Sequence, residues 1–65
     1  MYKLYLQFCN GSEGYYCFEH NESIRVSSSL MGFDIARFPS EEAAEAKARR
    51  LIGAGYRIAY YEVVI

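Results

Sequence analysis

Apolar and polar residues alternate from the start of the chain. Tyr2, Leu4, Leu6 and Phe8 are apolar while Lys3 and Gln7 stand between them, a period of two that predicts a half-buried strand from Met1 to Cys9. Asn10-Gly11-Ser12-Glu13-Gly14 follows, and its glycines and Asn suit the positive φ angles of a hairpin loop. A second strand is expected from Tyr15 to about His20; with the loop centred on Glu13, Cys9 would face Cys17 across the hairpin. His20-Asn21-Glu22 reads as a tight turn, and Ser23–Ser27 as a short third strand with Ile24 and Val26 on one face. The serines after it lead into Leu30-Met31-Gly32-Phe33, which predicts an irregular loop that tucks in. Residues Asp34 to Phe38 either add a brief strand or lead directly into the next element.

The period then changes. Pro39 disfavours a helical Phe38, Ser40 can cap free N–H groups, and Ala44, Ala48, Leu51 and Ile52 fall at three- and four-residue steps. Glu41, Glu42 and Glu45 suit the positive end of the helix dipole, Lys47, Arg49 and Arg50 the negative end. Gly53 or Gly55 supplies the left-handed residue that closes this helix, Ser40–Ala54. Tyr56 to Ile65 is rich in aromatic and β-branched residues, and so apolar that it suits a strand with neighbours on both sides, returned beside the first.

These elements predict a two-layer α+β fold: an antiparallel sheet of three to five strands with one amphipathic helix on one face, in the order β-β-β-(β)-α-β. Residues 1–65 form one domain, with Leu4, Leu6, Phe8, Ile24, Val26, Ala48, Leu51, Ile58 and Val63 as core candidates. A chain of 65 residues buries only about 60% of its unfolded surface, which leaves no material for an elaborate cleft. Seven Tyr and four Phe partly offset the small size.

The net charge of −1 is unevenly spread. Residues 1–45 hold seven acids against three bases, and residues 46–65 hold four bases against Glu62. Met1 leads straight into the first alternating run, and no stretch approaches the roughly 20 apolar residues of a membrane span, so the expected setting is a cytoplasm, the chain's own or a host's, with no membrane partner. In a reducing compartment Cys9 and Cys17 are expected as free thiols, and their spacing is neither a redox pair nor a metal-binding pattern. His20, the one histidine, lies at a turn between Glu19 and Glu22 with no second ligand-type pair nearby. No nucleophile elbow or phosphate loop occurs. The chain is therefore expected to be non-catalytic, with no cofactor and no metal.

Two binding chemistries remain. Tyr5, Tyr16, Tyr60 and Tyr61 are candidate rings for stacking unpaired bases, with Lys47, Arg49, Arg50 and Arg57 as phosphate contacts. Glu13, Glu19, Glu22, Asp34, Glu41, Glu42 and Glu45 are the candidate partner-binding residues for a basic protein surface. Glu45 is also one turn from Arg49 and can pair with it.

The Ala-rich helix that opens Phe38-Pro39-Ser40-Glu41-Glu42-Ala43 and the closing strand Gly55-Tyr56-Arg57-Ile58-Ala59-Tyr60-Tyr61, behind aromatic meander strands in so short a chain, resemble the small accessory proteins of phages and mobile elements, above all small anti-CRISPR proteins. The resemblance implies a monomeric, non-catalytic inhibitor that binds a bacterial CRISPR effector, a protein or protein–RNA complex, and blocks target DNA. In several such families carboxylates lie where DNA phosphates would; the strongest DNA mimics are far more acidic than this chain, so a steric plug is an equal alternative. The helix-Gly-Tyr-strand segment also resembles small peptidoglycan-binding repeat domains, which come attached to a membrane anchor.

Overall fold

The computed structural model describes residues 1–32 and 34–65. Strands β1 (Lys3–Phe8), β2 (Glu13–His20) and β3 (Ser23–Ser27) form a meander, α1 (Glu41–Gly53) comes next, and β4 (Ile58–Val64) closes the chain. The four strands make one antiparallel sheet in the order β3-β2-β1-β4, and α1 lies across β1 and β4. This is the expected two-layer α+β fold.

Ser40 does cap the helix: its backbone is extended and its hydroxyl accepts the N–H of Ala43 at 3.1 Å. At the other end Ala54 and Gly55 donate to Arg50 and Ile52 carbonyls, and Gly55, at φ +98°, is the residue that takes the left-handed turn. Leu4, Leu6, Tyr16, Ala48 and Leu51 form the buried centre, with Phe8, Ile24, Val26, Ile58 and Val63 packed around it. Ile52 is not part of the buried stripe; it is 44% exposed, on the shoulder of the helix beyond Leu51.

The first hairpin differs from the expected register. Tyr5 pairs with Tyr15 and Gln7 with Glu13, so the loop centres on Asn10 rather than Glu13 and Cys9 does not face Cys17. The cause is local. Phe8 donates to the Ser12 carbonyl at 2.8 Å, the Asn10 side chain accepts from the Ser12 N–H and hydroxyl, and Gly11 takes φ +95°, a loop that closes early in the segment. The second turn is as expected and two residues long, with Asn21 and Glu22 both at positive φ between His20 and Ser23.

Two irregularities decide which side chains reach which face. In β2 the register shifts between Tyr16 and Phe18, leaving Cys17 as a bulge, so Phe18 pairs with Arg25 on the outer face and Glu19 pairs with Ile24 on the helix side. The β1–β2 ladder also ends at Tyr5 and Tyr15, and the segment before the helix fills the opening. Tyr2 and Phe38 exchange both backbone hydrogen bonds, and Ala36 donates to the Tyr16 carbonyl at 3.0 Å. Asp34–Phe38 is thus neither a full strand nor a mere lead. Leu30 and Met31 are exposed, while Ile35, at 4% exposure, is the residue that tucks in; the expectation for Phe33 lies outside the described residues.

β4 is an edge strand beside β1 rather than a central one. Its continuous apolar run arises because Tyr61 and Val63 face the core while Tyr60 faces outward. No helix among the described residues is long and apolar enough to cross a membrane.

Candidate functional site

The helix covers one face of the sheet; the other carries rings and charges from all four strands. Alternation along β1 puts Lys3, Tyr5 and Gln7 on this outer face, and the pairings extend the row to Glu13 and Tyr15 on one side and Tyr60, Glu62 and Val64 on the other. The Cys17 bulge adds Phe18 opposite Arg25. Phe18 is 44% and Tyr60 50% exposed, and Tyr5 and Tyr15 are half-buried against each other, ring centroids 5.5 Å apart in an edge-to-face arrangement. At one corner Gly32 sits close against the Ser27 hydroxyl and the Ile35 side chain.

Both carboxylates of this face are held by phenols. The Tyr5 hydroxyl donates to Oε1 of Glu13, and the Tyr60 hydroxyl donates to Oε1 of Glu62 at 3.3 Å. Glu62 raises the Tyr60 phenol above its ordinary value, because ionising it would place two negative charges together. The face therefore offers aromatic area with two held acceptors, Glu13 at the hairpin end and Glu62 on the edge strand, and two bases, Lys3 and Arg25.

The predicted acidic residues do not share a surface. Glu13 is on the outer face. Glu41, Glu42 and Glu45 line a shallow cleft at the start of the helix, and Glu45 accepts from Arg49 at 3.2 Å, as the one-turn spacing suggested. Glu19 and Glu22 lie at the β2–β3 turn beside Ala54, Gly55 and Tyr56. Asp34 sits near Cys17, whose thiol is pushed up mainly by burial and further by that carboxylate. No protein-family model matches the chain, and neither a curated protein nor a solved structure matches it.

The candidate base-stacking rings divide as well. Tyr5 and Tyr60 are on the outer face, but Tyr16 belongs to the buried centre and Tyr61 packs against it. Of the candidate phosphate contacts, Lys47 and Arg49 are engaged by Glu19 and Glu45, and their helix lies on the opposite side of the sheet from Tyr60. Sequence reasoning missed Tyr15, Phe18 and Glu62 as outer-face residues. Tyr15 and Glu62 reach it because both pair with Tyr5, a register that local patterning does not reveal; Phe18 reaches this face only through the bulge.

His20 stays at its turn, its ring 3.1 Å from the Asn21 amide, and among the described residues no group of three or more potential ligands could hold a metal ion.

Proposed function

We propose that the protein is a non-catalytic binding module that inhibits a bacterial CRISPR effector, docking through the outer face of its sheet. The observation that carries the reading is that face itself: Tyr5, Tyr15 and Tyr60 lie on its three adjoining strands without helix cover, Phe18 adds an exposed ring beyond the Cys17 bulge, and Glu13 and Glu62 are held by phenolic hydrogen bonds. Exposed aromatics that keep few rotamers are the usual energetic anchors of a protein interface, and pre-positioned carboxylates suit lysines and arginines that otherwise hold phosphates. The class of partner rests on the anti-CRISPR resemblance of the chain's organisation. Glu41, Glu42 and Glu45 form a separate acidic edge that steers approach to a basic surface.

The competing reading is direct binding of single-stranded nucleic acid by the same rings. It is the weaker one, because the bases of the helix lie on the other side of the sheet and two of them are already paired. A pull-down from a bacterial lysate with the purified chain, followed by nuclease treatment, separates the two. Recovery of a CRISPR effector that survives nuclease supports the inhibitor, and recovery of nucleic acid alone overturns it.

A further inference from the structure

Strand β4 ends the sheet with an unpaired edge, and the hydrogen-bond pattern says which groups it offers. In an antiparallel sheet both backbone groups of a residue point to the same side, and the side alternates along the strand. On β1, Tyr2 exchanges both its bonds with Phe38, and Phe8 donates into the hairpin loop; even-numbered residues thus aim away from β4, while Lys3, Tyr5 and Gln7 aim toward it. Their partners Val64, Glu62 and Tyr60 spend their backbone groups on β1. Tyr61 and Val63 therefore present N–H and C=O to the free edge, and among the described residues no backbone hydrogen bond reaches them there.

Proteins usually blunt such an edge with Pro, Lys, an inward charge or a bulge. Between Ala59 and Val64 there is no Pro and no base, and Glu62 is the one charge. The register shift opposite Gln7 and Phe8 disturbs only the start of the strand. The other edge is better guarded: β3 has five residues and carries Arg25 at its centre.

We propose that β4 pairs antiparallel with β4 of a second copy, about a twofold axis at Tyr61. Only registers that bring edge-facing residues opposite each other allow the ladder to form, and near the middle of the strand these set Tyr61 against Tyr61, Val63 or Ala59; the last places the irregular Ala59, skipped in the pairing with β1, directly beside the axis. The second sets Glu62 directly against its own copy, two like charges at close range. The first keeps Tyr60–Glu62 regular at the middle of the seam, with the irregular Ala59 at each end, and sets each Tyr60 across from the other copy's Glu62. That carboxylate already accepts from Tyr60 within its own strand, so the seam repeats a contact the fold makes once. The result is a symmetric dimer with one continuous eight-stranded sheet, in place of the expected monomer, and it joins two aromatic outer faces into one surface.

Sedimentation equilibrium over a dilution series, combined with residue-resolved amide exchange, tests the seam. A dimer mass is expected, with Tyr61 and Val63 amides that become protected as concentration rises. Tyr60→Glu, at a half-exposed position, places carboxylates opposite Glu62 twice and should weaken association roughly tenfold, whereas Tyr60→Lys should preserve or strengthen it. A monomer at every concentration overturns the proposal. So does association that leaves the Tyr61 and Val63 amides exchanging as fast as in the dilute chain.

Discussion

Nζ of Lys47 lies 2.7 Å from Oε1 of Glu19 and 5.5 Å above the ring of Tyr16, whose hydroxyl donates to the same carboxylate oxygen at 3.1 Å. The three residues tie α1 to β2, an element with which the helix otherwise shares little. The contact exists because the Cys17 bulge turns Glu19 to the helix side. The hydrogen bond from Lys47 is the main reason the Glu19 carboxyl sits below its ordinary range, and the bond to Glu19 is the main reason the Lys47 ammonium sits above its own. Burial raises the Tyr16 phenol.

These shifts make stability depend on pH. A lowered carboxyl contributes stability above its unfolded value, about 4.3, and loses that contribution as pH falls through the lower folded value. The raised Lys47 and Tyr16 contribute below their unfolded values, about 10.4 and 10, and lose the contribution as pH rises through the folded ones. Lys47→Met should therefore flatten the acid limb of a stability–pH curve and part of the alkaline limb. At neutral pH its cost should be about 1 kcal/mol or less, since both partners keep contact with water. Urea midpoints across the pH range measure all three effects.

Burial separates neighbouring apolar residues. Leu51→Ala and Ile35→Ala, at positions 1% and 4% exposed, should each cost about 2–5 kcal/mol. Ile52→Ala, one residue along the helix, should stay within about 0.5 kcal/mol. Chemical denaturation of the three variants checks the order.

Gly14 is buried where β2 meets β3, and a Cβ there would stand 2.8 Å from the Ser27 carbonyl oxygen and 3.0 Å from the Val26 Cβ. The nearest obstacle is backbone, which cannot swing aside. Gly14→Ala should cost about 1–3 kcal/mol in the same assay, with the β2–β3 amides exchanging faster.

The thiols should behave unequally. Cys17 is buried and its thiol is pushed up, whereas Cys9 is exposed in the first hairpin loop. A thiol-reactive reagent should label Cys9 quickly and Cys17 only on unfolding. Reductant should not change binding, because the hairpin register keeps the two apart.

What the sequence disclosed was what local chemistry dictates. The period of two in β1, the Ser40 cap, the Asn21-Glu22 turn and the Glu45–Arg49 pair are each set by residues close together in the chain. The bulge at Cys17 was not legible, because it depends on β2 satisfying β3 and the Ile35–Phe38 segment at once, and it moves Phe18 and Glu19 to faces opposite those that simple alternation gives. Tyr16 and Tyr61 looked like free rings for a similar reason. Tyrosine suits a core as well as a surface, and only the position of the helix decides which. The scattering of the acidic residues over separate regions was hidden too, since charge order along the chain does not record which side of a sheet each strand presents.

The central claim is that the outer sheet face binds a bacterial CRISPR effector. The direct measurement is the affinity of the purified chain for a panel of effector–guide RNA complexes without target DNA, comparing the native chain, Phe18→Ser with Tyr60→Ser, and Glu41→Lys with Glu42→Lys. The account predicts nuclease-resistant binding to at least one complex, weakened at least about tenfold by the outer-face pair and far less by the helix-end pair. Binding to none of them, or binding abolished by the helix-end pair and untouched by the outer-face pair, would contradict it.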